Sequence, residues 1–353
     1  MSSEPAAVPF ADCPVPISET RHVLMGHGSG GKLTAQLIER MFLPAFANPA
    51  LDRLDDQAQL DAGGVRLAFT TDSYVVTPIF FPGGDIGELA VNGTVNDLVV
   101  GGARPLALSL AFILEEGFPL ADLERVVAST KRAAARVGVP IVTGDTKVVP
   151  RGKGDGIFVN TSGVGIVPAG VHLSSERVAA GDVVLVSGFI GDHGAAILSR
   201  RAGIEFDGDL ASDTAPLHEL VAAVLQSGAE VHAMRDPTRG GVAATLVEIA
   251  SRRRLGVEID ERELPVRESV RGACEMLGLD PLLVANEGKL VVFVAEAGAA
   301  AALAALRAHP LGKDAAIIGR VTDRHPGLVE ARTAIGGDRI LDLPFGESLP
   351  RIC

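Results

Sequence analysis

Gly26-His27-Gly28-Ser29-Gly30-Gly31-Lys32 runs directly into residues 33–43, whose apolar spacing is that of a helix stopping at Pro44. Glycines ahead of a helix bring backbone N–H groups close to an anion, and Lys32 adds a mobile positive charge, so the stretch reads as a phosphate loop. From Gly26 to Lys32 it satisfies the first part of the P-loop pattern G-x-x-x-x-G-K. Leu33 then stands where that pattern needs a magnesium-binding Ser or Thr, and no buried strand precedes the run. The fold is therefore expected to be something other than a P-loop NTPase, with the run as a flexible glycine-rich lid or, taken alone, a plain glycine turn.

Downstream, 65–70 has strand character and leads to Thr71-Asp72-Ser73; 139–143 repeats the arrangement ahead of Gly144-Asp145-Thr146-Lys147. Both aspartates are expected at strand ends. Between them, 86–101 reads as a helix that mixes Asn92, Asn96 and Asp97 with Leu89, Val91, Val95, Leu98 and Val99, so these polar groups are expected to be partly buried and to need partners. Mg²⁺ in nucleotide sites takes a few carboxylates with phosphate oxygens and water. Asp56, Asp72, Asp97 and Asp145 supply such a set, although each alone also reads as a turn or cap aspartate.

Strands at 106–114 and 157–167 and a helix at 119–137 complete the first half, and Pro168-Ala169-Gly170 makes a boundary. A second unit follows. A strand at 183–187 turns through Gly191-Asp192-His193-Gly194 into a helix at 195–201, then comes a helix at 213–226. Asp236-Pro237-Thr238-Arg239-Gly240-Gly241 enters a helix at 242–253, and Asn286-Glu287-Gly288-Lys289 precedes a strand at 290–295, with further strands at 315–321 and 339–343. Strands alternating with helices indicate an α/β or α+β layer sandwich in two domains. The expected division is a leader 1–21, a first domain 22–167, a second 168–343 and a tail 344–353.

The 353 residues are 47% hydrophobic and 22% charged, with 41 glycines, one tyrosine and no tryptophan, as in a globular protein of tight turns. A formal net charge of −12 opposes binding to nucleic acid or an anionic membrane, and scarce aromatics leave few platforms for stacked bases. The first residues lack the basic and apolar runs of a secretory signal, and the Ala-rich stretch 297–306 is too short to span a bilayer. Cys13, Cys274 and Cys353 form neither a disulfide framework nor a Cys-x-x-Cys site, which fits the cytoplasm. Cys353 is the last residue, beside a free carboxylate, on an arm that Pro344, Gly346 and Pro350 keep irregular.

The glycine run, Thr70-Thr71-Asp72-Ser73, Asn96-Asp97, Gly144-Asp145-Thr146-Lys147, Gly191-Asp192-His193-Gly194, Asp236 to Gly241, Asn286-Glu287-Gly288-Lys289 and the terminal Pro350-Arg351-Ile352-Cys353 together resemble the HypE family of hydrogenase maturation carbamoyl dehydratases. The match runs in order from about His22 to Cys353. It implies the two-domain fold of the aminoimidazole ribonucleotide synthetase superfamily, with an ATP-binding first domain that dimerises through its sheet. A HypF-family partner would load a carbamoyl group onto Cys353, this chain would dehydrate it to a thiocyanate with ATP and Mg²⁺, and the cyano group would pass to iron held by HypC and HypD.

The same resemblance assigns Asp56, Asp72, Asp97 and Asp145 to metal, and Gly28, Gly30, Gly31, Lys32, Asp72, Asn96, Asp97, Asp145, Lys147 and Asn160 to nucleotide or phosphate. Glu287 is the expected base, with His193 as the alternative, and Asp192, Asp236 and Arg239 shape the docking site of the tail. A small-molecule kinase or synthetase of the same superfamily would not need Cys353. A noncatalytic nucleotide-binding scaffold would tolerate loss of Glu287.

Overall fold

A computed structural model of the chain describes residues 22–204, 210–344 and 351–353. The leader with Cys13, and Gly346 and Pro350 of the tail, lie outside the described residues. The glycine run enters α1 (Lys32–Leu37), a π-helical turn (Ile38–Phe42) and α2 (Leu43–Phe46). The helix thus passes Pro44 instead of stopping there. The wider turn donates the Leu43 N–H to Ile38 O just ahead of the proline, which has no N–H of its own to give.

The chain continues through β1 (Ala58–Ala62), β2 (Val65–Tyr74), β3 (Phe80–Phe81), β4 (Gly84–Asp85), α3 (Ile86–Val100), β5 (Arg104–Glu115), α4 (Leu120–Val137), β6 (Ile141–Val149) and β7 (Ile157–Ile166). Among the described residues these strands give a five-stranded sheet in the order β1-β2-β7-β5-β6, with only β5 and β6 parallel, as the intervening α4 requires. Asp85 caps α3 by accepting from Gly87 N at 2.8 Å and Glu88 N at 3.1 Å. Gly138, at φ 74°, ends α4 in the left-handed conformation that a Cβ would disfavour.

Helix α3 is buried nearly all round, between the first sheet, α4 and the second half of the molecule. That second half comprises β8 (Val183–Val186), α5 (Asp192–Ala202), α6 (His218–Gln226), β9 (Val231–Arg235), α7 (Gly241–Arg253), β10 (Gly256–Asp260), α8 (Glu268–Leu277), β11 (Val291–Val294), α9 (Ala299–Ala308), β12 (Ala316–Thr322), β13 (Val329–Arg332) and β14 (Asp338–Leu341). Its described strands form one seven-stranded sheet, β14-β13-β10-β12-β8-β11-β9. β8 and β11 are buried on both faces, which explains their unbroken apolar runs. Cores lie on each face of this sheet, and one of them continues through Val91, Val95 and Leu108 into the first half. Among the described residues no helix is long and apolar enough to cross a membrane.

Candidate active site at the seat of the C-terminal cysteine

Asp72 and Asp145 lie inside β2 and β6, not at strand ends as expected. Alternation then decides which face each meets. The register joins Ser73, Asn160, Ala111 and Asp145 in one row across the sheet, on the face that α3 leaves uncovered. Asp72 belongs to the neighbouring row with Thr70 and Tyr74, toward α3. The four expected metal aspartates are therefore not one set within this chain. Asp145 is exposed and paired with Lys147 at 2.7 Å, which with the Thr146 N–H holds its carboxyl below the usual range. Asn160 donates to Asp72 O at 2.8 Å and Ser73 Oγ at 3.1 Å.

Under α3 the acids gather. Thr70 Oγ1 donates to Asp97 Oδ2 at 2.8 Å, and Asp97 is pushed well above its usual range by burial and then by Asp236, Asp72 and Asp56. Burial likewise raises Asp72, against the pull of Arg239, and lifts Asp236 to about 6 against Arg235. Asp56 is raised to about 8, chiefly by burial, although Arg235 Nε sits 2.8 Å from its Oδ2. These carboxylates destabilise one another's ionised forms, as a site that awaits positive charge would. Among the described residues no three acidic, histidine or cysteine side chains converge as a complete ion cage. A donor set of Asp72 and Asp97, finished by phosphate oxygens and water, fits Mg²⁺. Asp56 is already committed to Arg235.

The tail occupies this place. Cys353 O accepts from Val75 N at 3.0 Å and Arg351 O from Thr77 N at 3.3 Å, so the last residues run alongside the end of β2 like an added strand. Arg351 Nε donates to Val75 O at 3.0 Å, and Arg351 also pairs with Asp155. Ile352 is buried against Phe81, Ile86 and Ile197, and Arg201 donates to the Thr77 and Arg351 carbonyls. Burial pushes the Cys353 thiol well up; Arg239 opposes this, while Glu287 and Asp72 add to it.

His193 clamps the tail. Its Nε2–H donates to Ile352 O at 2.7 Å, and its Nδ1 meets Ser212 Oγ at 2.7 Å, so both ring nitrogens are engaged. The ring packs edge-on against Phe81, and burial lowers its pKa below the ordinary 6.5. Glu287 has the opposite character: it is 3% exposed, its Oε1 has no hydrogen-bond partner, and burial with Asp72, Asp236 and Asp213 raises it well above the usual range. Its backbone is fixed instead. Glu287 N donates to Asp213 Oδ1 at 3.0 Å, and Glu287 O accepts from Asn96 Nδ2 at 3.3 Å.

Asn96, expected at the nucleotide, is used up on backbone: its Nδ2 also reaches Ala215 O at 3.0 Å, and its Oδ1 accepts from Leu217 N at 2.8 Å. It positions Glu287 from the buried helix α3. Asp192 accepts from Arg267 at 3.1 Å and makes no hydrogen bond to the described tail residues. The glycine run folds back on the second half. Arg239 Nη1 donates to Gly28 O at 2.9 Å, Lys32 N donates to Pro344 O at 2.9 Å, and Lys32 Nζ pairs with Asp342. Gly31 is required here, because a Cβ would overlap Pro344 O. Behind the loop a cavity of about 290 Å³ is lined by Gly30, Gly31, Thr34, Glu248 and Asp342.

Residues to which the sequence assigned no role complete the site. Lys289 Nζ pairs with Asp213 at 3.0 Å, Arg235 balances Asp56, and Tyr74 is buried between the acids and the tail. Tyr74 was legible in principle, as the one tyrosine of the chain directly after Thr70-Thr71-Asp72-Ser73.

The sequence matches the AIR synthase related protein N-terminal domain over residues 54–167 and the C-terminal domain over 179–330. It is 54% identical over 331 residues to the carbamoyl dehydratase HypE of Azotobacter vinelandii, covering 94% of this chain and 97% of that one. A HypE–HypF complex is similar with a TM-score of 0.83 and 49% identity, over 87% of this chain and 99% of that chain. HypE in complex with ATP is similar with a TM-score of 0.79 and 52% identity, over 94% of this chain and 100% of that chain. Two-domain architecture, site motifs and near full-length identity agree: the chain belongs to the HypE family of carbamoyl dehydratases, on the AIR synthase related fold.

Proposed function

We propose that this carbamoyl dehydratase acts on its own C-terminal Cys353, converting an S-carbamoyl group to a thiocyanate with ATP. The observation that carries this reading is the seat of Cys353, whose backbone is held by Val75 while its thiol lies within electrostatic reach of Arg239, Asp72 and Glu287. An amide oxygen leaves poorly. Attack of the carbamoyl oxygen on the γ-phosphorus, with ADP departing, makes that oxygen part of a phosphate ester. Loss of both nitrogen protons and cleavage of the C–O bond then give the nitrile and free phosphate. The sum is S-carbamoyl-cysteine plus ATP to S-cyano-cysteine, ADP, phosphate and one proton.

Glu287 is the base for the nitrogen protons, since its carboxyl lies within electrostatic reach of the thiol and its Oε1 has no hydrogen-bond partner. Arg239 adds positive charge beside the reacting group and ties it to the glycine loop through Gly28 O. Asp72 and Asp97 would hold Mg²⁺, which when bound neutralises charge on the transferring phosphoryl group. Lys32, with Gly28, Gly30 and Gly31, closes over the phosphates. Asp145, Lys147 and Asn160, on the uncovered sheet face, would serve a nucleotide only beside a second copy of the chain.

The inward thiol is held protonated by burial, and a neutral thiol is a poor nucleophile. Loading therefore takes place with the tail outside, by a HypF-family transferase, as the solved HypE–HypF relative supports. Transfer onward to iron on HypC and HypD again needs the outward pose. The working unit is a homodimer joined through the first sheet, in the cytoplasm.

Mass spectrometry of the C-terminal peptide tests the reading, after incubation with Mg²⁺, ATP and a carbamoyl-loading partner and beside Cys353→Ala. The carbamoyl group is expected to lose one water only with hydrolysable ATP. Consumption of ATP with Cys353 left unmodified would sink the proposal.

A further inference from the structure

Tyr74, the chain's only tyrosine, closes β2 and is 1% exposed, yet its hydroxyl is buried without a hydrogen-bond partner. A buried orphan hydroxyl is costly, so one kept in a native fold is expected to gain a partner in another state. Its place is fixed. A Cβ at Gly93 on α3 would overlap the hydroxyl, and the ring belongs to the cluster of Val76, Ile86 and Ile352 against which Cys353 packs. Thr94 and Asp72 lie beside it without forming a well-aligned hydrogen bond.

The next residue, Val75, donates its N–H to Cys353 O at 3.0 Å, so Tyr74 adjoins the residue that carries the reacting group. A second orphan, Glu287 Oε1, lies within electrostatic reach of both Tyr74 and Cys353. Glu287 Oε1 thus lies within electrostatic reach of the thiol, and the Tyr74 ring lies in the cluster against which Cys353 packs. A carbamoyl group placed on it brings one carbonyl acceptor and an NH₂ donor, a complement to a hydroxyl and a carboxyl oxygen.

We propose that the Tyr74 hydroxyl hydrogen-bonds the carbamoyl group on Cys353 and, with Glu287, fixes its rotation about the S–C bond so that nitrogen faces Glu287 and oxygen faces the nucleotide. This rests on the functional reading above. It makes Tyr74 a determinant of which end of a near-symmetric planar group meets the phosphate, a choice that the thiol alone cannot impose.

The chain has no tryptophan, so its near-ultraviolet absorption above the phenylalanine bands is that of Tyr74. The test compares this spectrum before and after carbamoyl loading, once the transferase has been removed, with Cys353→Ala treated identically. Wild type is expected to show a tyrosine difference spectrum that Cys353→Ala lacks. Tyr74→Phe keeps the ring and removes the hydroxyl; in single turnover at saturating ATP, dehydration is expected to slow by roughly tenfold or more, with KM for ATP moved less than about threefold. An unchanged tyrosine spectrum on loading, or Tyr74→Phe dehydrating at the wild-type rate, overturns the proposal. Should Tyr74→Phe fail to fold, the wild-type spectrum decides alone. Loaded wild type that never loses water overturns the functional reading itself.

Discussion

Glu287 and Asp236 are acids that the fold keeps from ionising freely, and each bears a test of its own. Replacing Glu287 by Gln preserves volume and removes the carboxylate that the proposed mechanism uses as proton acceptor. Loaded Glu287→Gln is expected to accumulate the carbamoyl form, with dehydration slowed at least about 100-fold and thermal stability unchanged or raised; mass spectrometry of the C-terminal peptide reads the first and calorimetry the second. For Asp236 the folded-state value of about 6 lies above its ordinary 3.8, chiefly through burial. Folding thus favours its protonated form, and the stability this gives is present below pH 3.8 and lost as pH rises toward 6. Asp236→Asn does not titrate. Its stability relative to wild type, in the absence of nucleotide, is expected to improve between pH 4 and 7 by roughly 2 kcal/mol, as denaturant midpoints would show.

Helix α3 carries the argument at the scale of elements, because it faces both halves. Asn92 donates to Thr214 Oγ1 at 3.3 Å, and Asn96 serves the backbone of Ala215, Leu217 and Glu287. Asn96→Ala leaves buried groups unpaired on the segments that carry Ala215, Leu217 and Glu287. It is expected to cost about 2–4 kcal/mol in stability and to slow dehydration as well, measured by urea denaturation and single turnover; full stability with full rate would reject this role. The helix itself was readable from its apolar pattern, and so was the burial of its amides. What those amides bind was not, since their partners lie well over a hundred residues away.

Across the whole molecule, the uncovered face of the first sheet stands out. Phe69 and Ile113 are each 45% exposed there, with Phe158, Val164 and Ile166 on the same face around the polar row of Ser73, Asn160 and Asp145. A sheet with one apolar face open to water is the surface that a second copy would cover. Sedimentation is expected to give a dimer, and Phe69→Lys a monomer that still folds; a monomeric wild type would refute the shared sheet. In such a dimer Asp145 and Lys147 would lie at the joint, on the face opposite to that of Asp72.

The sequence by itself determined the two alternating units, the exclusion of a P-loop through Leu33, the placement of α3 and α4, and the family through its ordered motifs. These are local matters of periodicity, turn chemistry and residue order. Only the tertiary structure decided that Asp72 and Asp145 point to opposite faces, because that depends on where strands end and how they register. Only it revealed His193 as a clamp and Asn96 as a support, since the role of a polar side chain is set by the partners that burial forces on it. The inward seat of Cys353 is of the same kind: Arg351 and Cys353 are held by the segment that follows β2, nearly three hundred positions earlier, a contact that no local pattern encodes.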